Sequence, residues 1–274
     1  DSAQAVFDTG TSVGELACEL FSSGERIEFS GDFDAQIAKT KELIKRGTKV
    51  IYETTFCFDG VLVMVDILRI CVDGLIINEV KSSTSVKDVY IDDAAIQYYV
   101  LSSLGYKVSR VNIIHIDSTY TRGETLELEK LFCVQDVTEQ VKQKQRDIPQ
   151  ILNKFEEILS QNSEPDIDIG AHCSNPYVCD AREYCWHKQR AIPEYSVFDI
   201  SRLRSGKKFE LYKSGVVKFN DIKDLSKFNA SQQIQIRSEL SGEQIIDKEA
   251  IKEFLNTLSY PLYHLDFETF QQAV

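Results

Sequence analysis

The chain has 274 residues, 43% of them hydrophobic, and carries 43 acidic against 31 basic side chains for a formal net charge of −12. That length allows one large domain or two smaller ones, and the charge excludes a broad basic surface, so a polyanion would be met in a local groove through bound cations. No stretch approaches 18 consecutive apolar residues and no signal peptide is visible, which gives no reason to expect a membrane partner.

Residues 12–21 (SVGELACELF) place Val13, Leu16, Leu20 and Phe21 at helical spacing, and Ser23-Gly24 ends the run. Asp32 or Asp34 caps a second helix through Ile44, closed by Gly47. Residues 49–58 read as a strand, and Asp59-Gly60 turns it into a second strand beginning at Val61. Asp73-Gly74, between two β-branched runs, is the expected hairpin turn into a third strand that ends in Glu79-Val80-Lys81. Asp92-Asp93 opens a helix, AAIQYYVLSSL, ended by Gly105; residues 108–116 form another strand, and 117–124 are rich in turn residues. A strand at 131–137 precedes a helical region, 138–160, broken near Asp147-Ile148-Pro149. The order predicts an α/β sandwich with a mixed central sheet flanked by helices, not a doubly wound sheet.

The chemistry concentrates in the hairpin. Asp66 interrupts Val63, Met64, Val65, Ile67 and Leu68, and Glu79 and Lys81 share one face of their strand while Val80 points the other way. Charged groups among so many aliphatics are costly unless they pair or hold a metal. A structural Asp–Lys pair with a solvated Glu79 is the plain alternative. Hard divalent cations prefer carboxylate oxygens, which Asp66 and Glu79 supply, with Glu15 a third and the Val80 carbonyl a further ligand. Phosphodiester hydrolysis is chemistry such a site can perform: Lys81 beside a metal can orient the attacking water and meet the phosphate. Gln97, an uncharged donor and acceptor, can bind nucleic-acid backbone or hold the site together; in water it is an ordinary helix-face residue. Glu15 likewise has an ordinary reading as a first-turn acid favoured by the helix dipole.

Of the seven cysteines, Cys18, Cys57, Cys71 and Cys133 are scattered through helix- and strand-like runs, as reduced core residues of a cytoplasmic protein would be. Cys173, Cys179 and Cys185 are crowded, and with His187 or His172 could make a zinc site. From Arg190 the pattern changes. A basic run (Arg202, Arg204, Lys207, Lys208) leads into expected helices at 231–240 and 247–258, read as a small connector with a charged, solvated surface. An apolar strand then delivers Asp266 and Glu268. The expected division is therefore 1–190, a mostly helical connector over 191–258, and the first strand of a further domain over 259–274. The chain starts at Asp1 and stops at Val274, just after that strand-like run, so a fragment is expected at both ends.

The ordered series Gly10-Thr11-Ser12-Val13-Gly14-Glu15, Asp66, Glu79-Val80-Lys81 and Gln97 resembles the PD-(D/E)xK nuclease superfamily, and most closely its RecB-like and CRISPR-associated exonucleases. QAVFDTGTSVGELA, EVKSST and DDAAIQYYVL are also similar to an uncharacterised bacterial family that joins such a nuclease to an RNase H-like exonuclease domain. Two departures stand out: Gly14 and Glu15 occupy the place where RecB-like enzymes usually carry histidine, and Leu101 the place of a tyrosine four residues after the glutamine. The resemblance implies a restriction-endonuclease-like fold, Mg²⁺ or Mn²⁺ at Asp66, Glu79 and Val80, and DNA, single-stranded or at ends, as substrate. It also implies an iron–sulfur cluster, in place of zinc, on Cys173, Cys179, Cys185 and one upstream cysteine. Asp266 and Glu268 resemble the first motif of DEDD exonucleases, whose partner acids would lie beyond Val274. Hydrolysis of RNA is the rival activity. A degenerate nuclease fold that binds nucleic acid or protein without cutting is the rival from outside enzymes.

Overall fold

A computed structural model describes residues 2–268, which divide at Asn162 and Ser163 into two compact units. The first unit runs α1 (Ser2–Glu19), β1 (Glu25–Arg26), α2 (Phe33–Arg46), β2 (Val50–Phe58), β3 (Val61–Cys71), β4 (Gly74–Lys81), α3 (Asp88–Ser103), β5 (Val108–Ile116), α4 (Leu128–Leu131), β6 (Phe132–Asp136), α5 (Thr138–Lys144) and α6 (Ile148–Leu159). Its six strands form one mixed sheet in sequence order, with β1–β2 and β4–β5 parallel and the other pairs antiparallel. The parallel β4–β5 pair needs a crossover, and α3 supplies it. This is the expected helix-flanked mixed sheet.

Both faces of the sheet are covered, which is why β3 reads as an apolar run and not as a clean alternation. Val63, Val65 and Leu68 pack with Ala94, Ala95 and Leu101 of α3 and Val141 of α5. On the other face Ile67 and Ile114 pack with Val13 and Ala17 of α1. Leu43 of α2 covers Ile27 and Ile51.

Local chemistry explains the boundaries. Asp32 caps α2 by accepting from Ala35 N at 3.0 Å. Asp59 and Gly60, at φ 50° and 77°, form the two-residue turn joining the paired Phe58 and Val61, a conformation that matches the twist of the flanking strands. The second hairpin differs by one residue from the expected turn. Cys71 pairs with Gly74, so Val72-Asp73 is the loop and Gly74 already belongs to β4. A Cβ on Gly74 would stand 2.3 Å from the Lys107 carbonyl oxygen, which is why the strand must begin on glycine. The helix α3 begins at Asp88, a turn before the expected Asp92-Asp93 cap.

The second unit, Ser163–Glu268, contains a π-turn at Tyr184–Gln189, α7 (Ser205–Lys213), α8 (Ala230–Ser241) and α9 (Lys248–Asn256). Two of these helices match the expected 231–240 and 247–258; α7 was not foreseen. The unit boundary also differs from the expected 190, because the cysteine segment packs with residues C-terminal to it: Cys173, Trp186 and Ile192 share a cluster with Phe198, Phe209 and Tyr212. Asp168 ties the same region together, accepting from Arg190 Nε at 2.7 Å and Tyr212 OH at 2.8 Å.

Candidate active site

The site forms where β3 and β4 separate. Their ladder runs from Cys71–Gly74 to Ile67–Asn78, and β4 then continues to Lys81 paired with β5 on its other side. Asn78, fully buried, holds the last rung: its Nδ2 donates to the Ile67 carbonyl at 3.1 Å and its Oδ1 accepts from Asn112 Nδ2 at 2.8 Å. Two residues further, the Val80 N–H donates to Asp66 Oδ2 at 2.7 Å, not to a backbone carbonyl of β3. Asp66 and Glu79 occupy the fork that opens there.

Lys81 and Glu79 meet as their shared strand face requires, Lys81 Nζ lying 2.8 Å from Glu79 Oε1. The ammonium also reaches Asp93 Oδ2 at 2.7 Å and lies over the Tyr90 ring at 5.5 Å. Gln97 Nε2 donates to Glu79 Oε2 at 2.7 Å. Asp93 and Gln97 stand one turn apart on α3, so a single helix face supplies both partners.

The electrostatics follow from burial. Desolvation pushes the Asp66 carboxyl up to about 6, with the negative charges of Glu53 and Asp93 adding to it against the Val80 N–H and Lys81. Glu79 is pushed up to about 8, by burial first and by the Asp66 charge next. Burial works against the Lys81 charge, but Glu79 and Asp93 outweigh it and raise its pKa. The fork thus holds two acids that resist being ionised together. Gln97 Oε1 is buried with no hydrogen-bond partner among the described residues, an oxygen available to a donor or a cation.

These oxygens suit a hard divalent cation: Asp66, Glu79, the Val80 carbonyl and the spare Gln97 Oε1 are all ligands that Mg²⁺ or Mn²⁺ accepts. Among the described residues no three His, Cys, Asp or Glu side chains converge closely enough to enclose a metal by themselves. The remaining positions fall to water and substrate oxygens, several of which Mg²⁺ ordinarily retains.

Glu15 is exposed on α1, whose Val13 and Ala17 face the sheet. The acids that bear on the fork are Glu53 and Asp93, neither anticipated as a site residue. Glu53 sits at φ 59° in the middle of β2, between the pairs Tyr52–Ile67 and Thr54–Val65, and so opposite Asp66. Both strands change faces there: Tyr52 and Ile67 pack against α1, whereas Phe56 and Val65 pack toward α3. Glu53 is half-buried, its pKa raised by that burial against the pull of Arg26, whose Nη1 lies 3.5 Å from Glu53 Oε1. Asp93 was legible as the residue four before Gln97; nothing local marks Glu53.

In the second unit, Cys173 is buried and Cys185 half-buried in one apolar cluster, while Cys179 is exposed, although its N–H donates to the Cys173 carbonyl at 3.0 Å. His187 is held elsewhere, its Nδ1 2.7 Å from the Ile192 carbonyl oxygen. Among the described residues the three thiols are not gathered into one metal-enclosing group. Cys18, in the first unit, is a buried thiol receiving Arg26 Nη2 at 3.5 Å. Asp266 and Glu268 are exposed, and residues 260–268 adopt no strand. A strand needs a neighbour for its N–H and C=O groups, and the described residues offer this segment none. The rest of the expected strand, 269–274, lies outside the described residues. No described helix is long and apolar enough to cross a membrane. Comparisons with protein-family models, with curated proteins and with solved structures each found no match for this chain.

Proposed function

We propose that the first unit is a metal-dependent nuclease of the PD-(D/E)xK type, hydrolysing DNA phosphodiester bonds in single strands or at ends. The observation that carries this reading is the meeting of Asp66, Glu79, Lys81 and Gln97 at the point where β3 and β4 part. A divalent cation held by Asp66, Glu79 and the Val80 carbonyl would polarise the phosphate and lower the pKa of a bound water.

The chain's own residues do the rest. The Val80 N–H fixes one Asp66 oxygen and Gln97 fixes one Glu79 oxygen, so both carboxylates are oriented before any ligand arrives. Lys81, held protonated, presents positive charge where charge builds on a phosphate in the transition state. Asp93 steadies that ammonium from the α3 side.

The test is digestion of end-labelled single- and double-stranded DNA, and of RNA, by the intact protein with Mg²⁺ or Mn²⁺ and with chelator. Chelator-sensitive cutting that Asp66→Asn removes supports the proposal. Retention of labelled strands without cutting, at any metal concentration, replaces it with a binding module. Preference for RNA keeps the chemistry and changes the substrate.

A further inference from the structure

The second unit contains a cavity of about 250 Å³ that plays no part in the nuclease reading. Its floor is aromatic. Trp186 packs on Phe198 at 4.5 Å and on Phe209 at 6.1 Å between ring centroids, and all three line the space. Two basic side chains line it as well: Arg182, stacked over the Trp186 ring at 4.6 Å, and the half-buried Lys208. Among the lining residues none is acidic, and among the described residues neither Arg182 nor Lys208 belongs to an ion pair. The cavity is thus locally basic in a chain of net charge −12.

One further group of donors lies at the cavity. Ser205 lines the cavity and opens α7, a nine-residue helix whose N-cap, Arg204, makes no side-chain hydrogen bond to the first turn. Its leading amides are therefore available to an anion. The indole Nε1–H of Trp186 is fully buried and has no acceptor among the described residues. Trp186 also lies in the π-turn, a rare conformation that recurs at functional sites.

A rim of basic and hydroxyl side chains with no acid, over an aromatic floor, suits a ligand with an anionic end and a flat apolar one. We propose that this cavity binds a nucleoside phosphate, its phosphate held by Arg182, Lys208 and the first turn of α7, its base against Trp186, Phe198 and Phe209. Charge-assisted bonds to phosphate and stacking on aromatic rings are the two interactions such a ligand uses. The inference rests on the second unit alone and stands or falls separately from the nuclease reading.

Trp186 is the only tryptophan in the chain, so its fluorescence reports on this cavity directly. The full chain, free of divalent metal, is titrated with inorganic phosphate, a nucleoside, the matching nucleoside 5′-monophosphate, and a short oligonucleotide with and without a 5′-phosphate. Calorimetry on the same solutions guards against a silent fluorophore. The expected result is saturable binding of the monophosphate, about tenfold tighter than the nucleoside, with Lys208→Ala weakening it about tenfold and Lys208→Arg restoring most of it. Should Lys208→Ala lose its far-ultraviolet circular dichroism, Arg182→Ala serves instead, since Arg182 is exposed. Tighter binding of the phosphorylated oligonucleotide assigns the site to a strand end; tighter binding of the monophosphate assigns it to free nucleotide. Equal affinity for nucleoside and monophosphate, inorganic phosphate binding as tightly as the monophosphate, or no binding by either method overturns the proposal.

Discussion

The Val80 N–H donates to Asp66 Oδ2 at 2.7 Å just beyond the end of the β3–β4 ladder. A backbone donor that would otherwise continue the sheet is spent on a carboxylate, and the two strands are free to part around Asp66 and Glu79. Losing that acceptor leaves the Val80 N–H part-buried and unpaired, so Asp66→Ala acts on both chemistry and fold. Asp66→Asn can keep an oxygen for the N–H while removing the charge. Metal-dependent cutting is expected to fall roughly a thousandfold or more in either variant, with the thermal midpoint lowered further in Asp66→Ala. Rates within about threefold of the parent in both would exclude Asp66 from the reaction.

Gln97 acts through Glu79. Removing its amide in Gln97→Ala frees Glu79 Oε2, and the expected cost is about ten- to a hundredfold in metal affinity or rate. Gln97→Glu should be the more damaging change, because it adds a third acid beside one that burial already holds up to about 8. A metal titration of each variant, read by rate, separates weakened metal binding from slowed chemistry.

Glu53 carries backbone strain at φ 59° opposite Asp66. Glycine adopts that conformation freely, so Glu53→Gly should lose the strain, a term of about 1 kcal/mol or more. Glu53→Ala keeps the strain and loses the same carboxylate. The expected ranking in metal-free thermal melts therefore puts Glu53→Gly above Glu53→Ala. The reverse order would mean that φ carries no cost here.

The two fork acids make a pH prediction of definite sign. Their folded-state values, about 6 and about 8, lie above the ordinary 3.8 and 4.5, so the folded chain holds protons more tightly than the unfolded one. Their contribution is thus least unfavourable below the unfolded values, and stability declines as pH rises through the window from about 4 to about 8. Other groups titrate too, so the readout is the difference between the parent and Glu79→Gln. The parent should lose more stability than the variant between pH about 5 and pH about 8, and Mg²⁺ should stabilise the parent more at the higher pH, where protons no longer compete. Parallel stability curves for the two proteins would remove Glu79 from this account.

The cysteines separate by burial. Cys71, Cys133 and Cys179 are exposed, and Cys18 and Cys173 are buried. A thiol reagent should label the first three in native protein and reach the last two only on unfolding. A metal centre on Cys173, Cys179 and Cys185 would instead protect Cys179 until chelator is added, and iron or zinc analysis of that sample would name the metal.

Much of the first unit was legible locally. Hydrophobic runs of strand length, the Asp59-Gly60 turn, the Asp32 cap and the break before Pro149 each follow from neighbouring residues, and so does the shared face of Glu79 and Lys81, since strand alternation needs no partner. Tertiary structure decided what lay between elements. Asp93, read as a helix cap, became a partner of Lys81 because α3 starts earlier, at Asp88, and turns that face to β4. Glu53 and Asn78 matter only because β2, β3 and β5 bring them to the fork, and Glu15 is exposed because the apolar face of α1 is the one that packs. The cysteine segment joined the second unit through Trp186 and Phe198, leaving Cys179 in solvent, and residues 260–268 formed no strand without a partner. Patterns of period two or 3.6 are carried by adjacent residues and survive in any context, whereas a site is a meeting of residues far apart in the chain, and only packing chooses which of them meet.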